Sequence, residues 1–340
     1  MRILLVKLSS MGDIFHTYPA ISDLKSVYPD AQLDWLVDQQ FAEIASWHGG
    51  VNQVHALPLR AFKKHKTNEL RQQLQATVRA LKQQHYDYII DAQGLMKSAW
   101  LARKFKGARY GYDWASAREG LASLFYQHSL SVAVDQHAID RIRQLFALTL
   151  GYRHRLADLP EQGLDPQQWS RPPQAPQTYG LVFPATTWQT KHWREEYWQA
   201  FLGRQALASA VYIGWGSAAE KDMALRLSQQ QTTAKVFDER LSFVEMARWI
   251  AHADWVVGVD TGFVHLASAM QKPTLAIFGP TTPRHTGVTG PHSDNLCTEL
   301  PCFPCRKKTC RIAKSSDSVV CMEQLKPETV LNQAEQLFKN

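Results

Sequence analysis

Short apolar runs recur along this chain, each ending at a polar or glycine-containing cluster and each followed by a segment of helical pattern. That alternation constrains the architecture more than any other feature. Parallel strands need a long crossover between them, and the crossover is ordinarily a helix. Runs at 3–8, 33–37, 51–57, 86–91 and 108–112 read as strands, and 69–84 has the length and periodicity of a helix. The stretch LPEQGLDPQQWSRPPQAPQ, residues 159–177, is rich in Pro and Gln and breaks the pattern. The alternation restarts at 179–184, 210–214, 234–237, 255–259 and 274–278, and 328–339 is helical again. The expected fold is α/β: two Rossmann-like units, each with a parallel sheet covered on both faces, facing a cleft between them. The boundaries read as 1–160, a linker at 161–177, a second unit at 178–325 and a C-terminal helix at 326–340.

A chain of 340 residues is long for one core and fits two. Its net charge of +7 is uneven: residues 1–160 carry 20 Lys+Arg and 14 Asp+Glu, whereas 161–340 carry 18 and 17. The first half therefore favours an anionic partner such as a phosphorylated substrate, a membrane surface or nucleic acid. No RNA-binding signature supports the last, and no nucleic acid is expected. The 11 tryptophans are many, enough for some to fill cores and others to face a flat or amphipathic partner. No apolar run approaches the ~20 residues that span a bilayer, and MRILLVKLSS lacks the h-region and cleavage site of a signal peptide. A cytoplasmic protein is expected. All five cysteines lie between Cys297 and Cys321, an odd count that argues against a disulfide framework.

Ligands of open parallel sheets bind beyond the carboxyl ends of the strands, and several polar clusters fall there. Ser9-Ser10-Met11-Gly12-Asp13 follows the first run; Gly12 permits close approach or an unusual φ, and Asp13 reads either as a helix cap or as a catalytic carboxylate that His16 could orient. Asp91-Ala92-Gln93-Gly94 offers two groups for sugar hydroxyls, or turn chemistry alone. Arg60, Lys63, Lys64 and Lys66 form a basic segment dense enough for phosphate contacts. In the second half, Thr186, Thr187 and Lys191 suit a diphosphate, with the lysine as a point charge, though an ordinary surface loop has the same look. Asp260-Thr261-Gly262 ends an apolar run and opens a helix whose free N–H groups favour an anion, with His265 one turn on. Gly214-Trp215-Gly216 through Ala219 spells G-x-G-x-x-A, and Asp238 follows at about the spacing of a dinucleotide fingerprint, as an NAD-dependent oxidoreductase would need. Cys302, Cys305, Cys310 and Cys321 have the makings of a four-thiolate zinc site or are free thiols, and Arg306-Lys307-Lys308 should lower thiol pKa values. The sequence has no D-x-D dyad of the kind that holds a divalent ion in many sugar transferases.

Taken together and in order, KLSSMGDIFHTYPA, DAQGLMKSA, ATTWQTKHW, WGSAAE and VDTGFVHLASA resemble the lipopolysaccharide heptosyltransferases of glycosyltransferase family 9, most nearly those that add the first heptose to Kdo. The likeness runs from residue 1 to about residue 290. It implies a GT-B fold, with acceptor on the N-terminal side and nucleotide sugar on the C-terminal side. It implies ADP-L-glycero-β-D-manno-heptose as donor, inverting transfer, and no cofactor or catalytic metal. Asp13 matches the general base, with Ser10 and Gly12 beside it. Thr186, Thr187, Lys191, Trp215, Glu220, Asp260, Thr261, Gly262 and His265 match the donor side, Glu220 as the carboxylate that holds the ribose. Arg60, Lys63, Lys64, Gln93 and Arg118 match the acceptor side. The implied partner is a Kdo-lipid A acceptor, met by a monomer peripheral on the cytoplasmic face of the inner membrane. The cysteine segment departs from the first-heptose type and is more like enzymes adding the second heptose or acting on phosphorylated Kdo, which leaves the acceptor open.

Overall fold

The central strands are apolar on both faces, and such strands are stable only inside a sheet covered on both sides. The computed structural model describes residues 1–153, 162–204, 209–229, 231–313 and 318–339. It divides into two units, Met1–Leu164 and Asp165–Asn340. The Pro/Gln-rich stretch falls partly on 154–161, outside the described residues. Its later part includes a 3₁₀ turn at Pro166–Gln168 and a buried Trp169, whose carbonyl lies 2.8 Å from His252 Nε2.

In the first unit the strands are β1 (Arg2–Val6), β2 (Gln32–Asp38), β3 (Gln53–Leu57), β4 (His85–Asp91), β5 (Lys106–Tyr112) and β6 (His128–Leu130), in the order β3-β2-β1-β4-β5-β6. In the second they are β7 (Gly180–Phe183), β8 (Val211–Ile213), β9 (Ala234–Val236), β10 (Trp255–Val259), β11 (Thr274–Phe278) and β12 (Ser293–Cys297), in the order β12-β11-β10-β7-β8-β9. Every pairing is parallel. Both orders are 3-2-1-4-5-6 when each unit is numbered from its own first strand. That order places a topological switch point between β1 and β4, and another between β7 and β10.

Ten of the twelve strands fall on the expected runs; β6 and β12 do not. Both lie at a sheet edge and read HSL and SDNLC, so they lack the continuous apolar run that burial on both faces imposes. The C-terminal helix, Pro327–Phe338, buries Val330, Leu331 and Ala334 in the same core as Val257 and Ile277 of the second sheet. Trp193, Trp198 and Trp255 are buried in that core too.

Close packing between neighbouring strands gives a direct test. A Cβ on Gly180 would come within 2.1 Å of the buried Trp255 indole, which itself stacks on Phe338. Gly180→Ala is expected to destabilise the second unit by about 1–3 kcal/mol, read as a fall in Tm.

Candidate active site

In the first unit the switch point is closed by a charged pair that the end of an apolar strand conceals. Lys7, one residue beyond β1, is 5% exposed and donates to the Ala92 carbonyl at 3.0 Å, just beyond β4. Its Nζ also lies 3.7 Å from Asp13 Oδ1. Asp13 belongs to the short helix Met11–Phe15 and reaches back so that its Oδ2 accepts from Ser10 N at 2.7 Å and Ser10 Oγ at 3.0 Å. Burial works against the Asp13 charge, but Lys7, Arg118 and the Ser10 donors outweigh it, and the carboxyl is held below its ordinary range. Burial pushes the Lys7 ammonium down. The capping reading of Asp13 is present in the structure: one oxygen caps, while the other faces Lys7.

Gly12 lies inside that helix, without the unusual φ considered for it. Gln93 is 4% exposed, and its Oε1 accepts from Leu8 N at 2.9 Å and Ser9 N at 3.1 Å, which fixes the loop that carries Ser10 and Asp13. Asp91 is corrected outright as a candidate sugar ligand. It is fully buried, with Oδ1 accepting from Gln93 N and Gly94 N and Oδ2 from the Tyr126 hydroxyl at 2.8 Å. Its role is to build the turn, where Gly94 has φ +65°. The 113–120 segment docks on this turn through Glu119 N to Gly94 O at 3.0 Å, and holds the exposed Arg118 where its charge reaches Asp13 and Lys7. His16 is buried with its ring edge-on to His137. Arg60 starts two strands away, after β3: its N–H donates to Asp38 Oδ2 at 3.0 Å and its guanidinium lies over Phe41. Lys63 and Lys64 are exposed in the last turn of the helix Leu59–His65.

The second unit repeats the device more tightly. Lys191 Nζ, from the loop after β7, lies 2.6 Å from Asp260 Oδ2 at the end of β10. Thr281 Oγ1, from the loop after β11, donates to the same oxygen at 2.6 Å, and His265 Nε2 is 3.3 Å from Asp260 Oδ1. Burial again opposes ionisation, but His265 and Lys191 outweigh it and hold the Asp260 carboxyl far below its usual range. Thr261 is the N-cap of the helix Gly262–Ala269, and its side chain makes no cap bond. Thr186 is half-buried near His192, whose Nε2 is 2.6 Å from the Thr186 carbonyl, and Thr187 is exposed. Glu220 Oε2 accepts from Gly216 N at 2.7 Å, and Trp215 Nε1 donates to Phe237 O at 2.8 Å, beneath the Lys221 ammonium.

The G-x-G-x-x-A turn follows β8, second in its sheet and away from the switch point, whereas a dinucleotide fingerprint follows the first strand. The oxidoreductase reading loses its geometry there. The zinc reading is corrected as well. Cys305 and Cys310 are near enough to raise the Cys321 pKa, yet among the described residues no group of three or more His, Cys, Asp or Glu is arranged to hold a metal ion. Nor are all thiols acidified: burial pushes Cys321 up to about 11 and raises Cys297 too. The cysteine segment instead braces the loops around Asp260. Lys307 O accepts from Thr190 Oγ1 at 2.8 Å, Arg306 N donates to Pro280 O at 2.8 Å, and Lys308 and Lys191 both lie by the Trp188 ring.

Lys7 and Thr281 were missed in the sequence. Lys7 reads as an interruption inside an apolar run, while Thr281 follows a strand end and would have been found by the same rule that found Asp260.

The model of glycosyltransferase family 9 (heptosyltransferase) matches residues 74–316. The chain belongs to glycosyltransferase family 9. It is 42% identical to the lipopolysaccharide heptosyltransferase 1 of Pseudomonas aeruginosa, over 99% of this chain and 98% of that one. The structure of the E. coli heptosyltransferase WaaC with ADP superposes with a TM-score of 0.85 at 34% identity, over 99% of this chain and 100% of that one. WaaC with ADP-2-deoxy-2-fluoro heptose gives 0.82 at the same identity, over 99% of both chains. The paired parallel sheets are those of a GT-B transferase.

The Asp260 cluster makes a signed prediction. A carboxyl with a depressed folded-state pKa stabilises fully above the ordinary carboxylate value, and that contribution is lost as pH falls towards the folded value. Asp260→Asn should therefore cost about 3 kcal/mol at neutral pH, and its melting curve should converge on the wild type's as pH drops below about 4. A gap that stays constant down to the acid limit would mean that the charge plays no part.

Proposed function

We propose that this transferase moves L-glycero-D-manno-heptose from ADP-heptose to Kdo of the lipopolysaccharide inner core, with inversion, using Asp13 as general base. The observation that carries the heptose reading is the near full-length likeness to the Pseudomonas lipopolysaccharide heptosyltransferase 1. The likeness to WaaC with ADP-2-deoxy-2-fluoro heptose supports the donor class. In this proposal the first unit receives the acceptor and the second the donor.

In this reading Asp13 Oδ1 takes the proton of the attacking sugar hydroxyl as the new glycosidic bond forms at the anomeric carbon and the bond to the ADP oxygen breaks. The depressed pKa keeps Asp13 ionised throughout the neutral range. Lys7 orients the carboxylate and shares its charge, and Gln93 positions the loop. Lys191, the Thr187 hydroxyl and the open helix start at Thr261–Gly262 stabilise the departing diphosphate. Asp260 and His265 hold Lys191 in place until the donor arrives. Trp215 and Glu220 border the ribose and base. Arg118, with Arg60, Lys63 and Lys64, meets the anionic acceptor. A neutral acceptor hydroxyl is a weak nucleophile until its proton is taken, so the base is the point at which turnover is most exposed.

An ADP-release assay with ADP-heptose and Kdo acceptors of one and two residues tests this. Asp13→Ala should lower kcat about 10²–10⁴-fold and leave ADP affinity nearly unchanged; turnover close to normal would return Asp13 to a purely capping role. Lys191→Ala should raise the donor KM and lower kcat, and unchanged kinetics would remove it from the donor site.

A further inference from the structure

Two tryptophans stand apart from the buried set. Trp100 is 53% exposed and Trp114 60% exposed, while Leu121 and Leu124 are 50% and 72% exposed. All four belong to two neighbouring stretches of the first unit. Trp100 lies on the helix Met96–Ala102, and Leu121 and Leu124 on the 3₁₀ segment Gly120–Phe125. The two elements pack together through buried Ala99 and Ala122, and Glu119, which opens the second, accepts from Met96 N at the start of the first. Side chains three apart in a 3₁₀ helix eclipse, so Leu121 and Leu124 project together. The Trp114 ring lies against Gly120, 3.2 Å from where a Cβ would stand.

The surround is basic. Lys97 and Arg103 are exposed on and beside the Trp100 helix, and Lys104 Nζ sits 3.6 Å from the Trp100 ring centroid. Two carboxylates lie nearby, Glu119, which caps Met96 N, and Asp113, which accepts from Ser116 N and Oγ and is held ionised by those bonds; Lys97, Arg103, Lys104 and Arg118 outnumber them. Exposed indoles and leucines with Lys and Arg on one flank are a composition that settles into the headgroup boundary of an anionic bilayer.

We infer that this corner, Trp100, Trp114, Leu121 and Leu124 with Lys97 and Lys104, is the surface by which the enzyme docks on an anionic lipid bilayer. The inference rests on the proposed lipid-linked acceptor and adds to it the face that meets the membrane. Its position fits that substrate. Arg118, whose charge reaches Asp13, lies in the same 113–120 segment, four residues from Trp114. An acceptor whose acyl chains stay in the bilayer would thus present its sugar beside the base.

The test is co-sedimentation of the full-length protein with vesicles of phosphatidylethanolamine and phosphatidylglycerol, against neutral phosphatidylcholine vesicles. Heptose transfer is measured in parallel to a soluble Kdo glycoside and to Kdo-lipid A in vesicles. The wild type should bind the anionic vesicles and bind the neutral ones weakly. L121S/L124S and Trp100→Ser, at exposed positions that should leave Tm unchanged, should lose about tenfold or more in vesicle binding. They should lose activity on the embedded acceptor while keeping it on the soluble one. Vesicle binding equal to the wild type in L121S/L124S would overturn the assignment. So would a wild type that ignores both vesicle types, or variants whose only change is from dimer to monomer by sedimentation velocity, which would give the patch to a second copy. Failure of the wild type to use even the soluble Kdo glycoside would instead count against the heptosyl-transfer reading, and vesicle binding is scored independently of it.

Discussion

Moving a carboxylate out of water costs several kcal/mol, and the molecule meets that cost twice by setting a lysine beside the acid at the carboxyl end of its central strands. Lys7 joins the ends of β1 and β4 in one unit, and Lys191 joins the loops after β7 and β10 in the other. The apolar strands and their covering helices exist for burial. What burial leaves over, at each switch point, is a place where backbone groups and charges are held still. The two pairs are not equivalent. Asp260 is gripped at 2.6 Å by Lys191 and by Thr281, whereas Asp13 faces Lys7 at 3.7 Å. The looser pair also leaves the Asp13 side chain more exposed, at 22% against 8% for Asp260.

Much of this was legible in the sequence, for a physical reason. Strands buried on both faces must be apolar throughout, so ten of them showed as runs, and whatever followed each run lay at the ligand-binding edge. Asp13, Lys191 and Asp260 were singled out in that way, and the structure places each beyond a strand end of its sheet. The failures have equally definite causes. Edge strands β6 and β12 carry no such run. Spatial strand order is absent from a linear pattern, so the G-x-G-x-x-A turn looked like a dinucleotide site until β8 was placed away from the switch point. Asp91 and Asp13 have the same local signature, and only the Tyr126 hydroxyl and the turn amides, distant or invisible in sequence, separate a sealed carboxylate from a partly exposed one.

The cysteine segment shows how a departure in sequence can serve a site through its backbone. Its thiols suggested a metal, and its basic run suggested activated sulfur. In the structure its backbone braces the Thr190 and Pro280 loops, and Lys308 shares the Trp188 ring with Lys191. The positive charge of the segment therefore adds to the field around the Asp260 cluster.

The sheet edges carry one more consequence. β6 and β9 are three residues long, with Lys235 exposed on β9, and β12 is largely polar. Short or polar margins such as these three give a neighbouring molecule little backbone to add to, and β3, the fourth edge, is itself only five residues long. Copies held at high local concentration could then crowd closely with little open backbone at these margins to template aggregation.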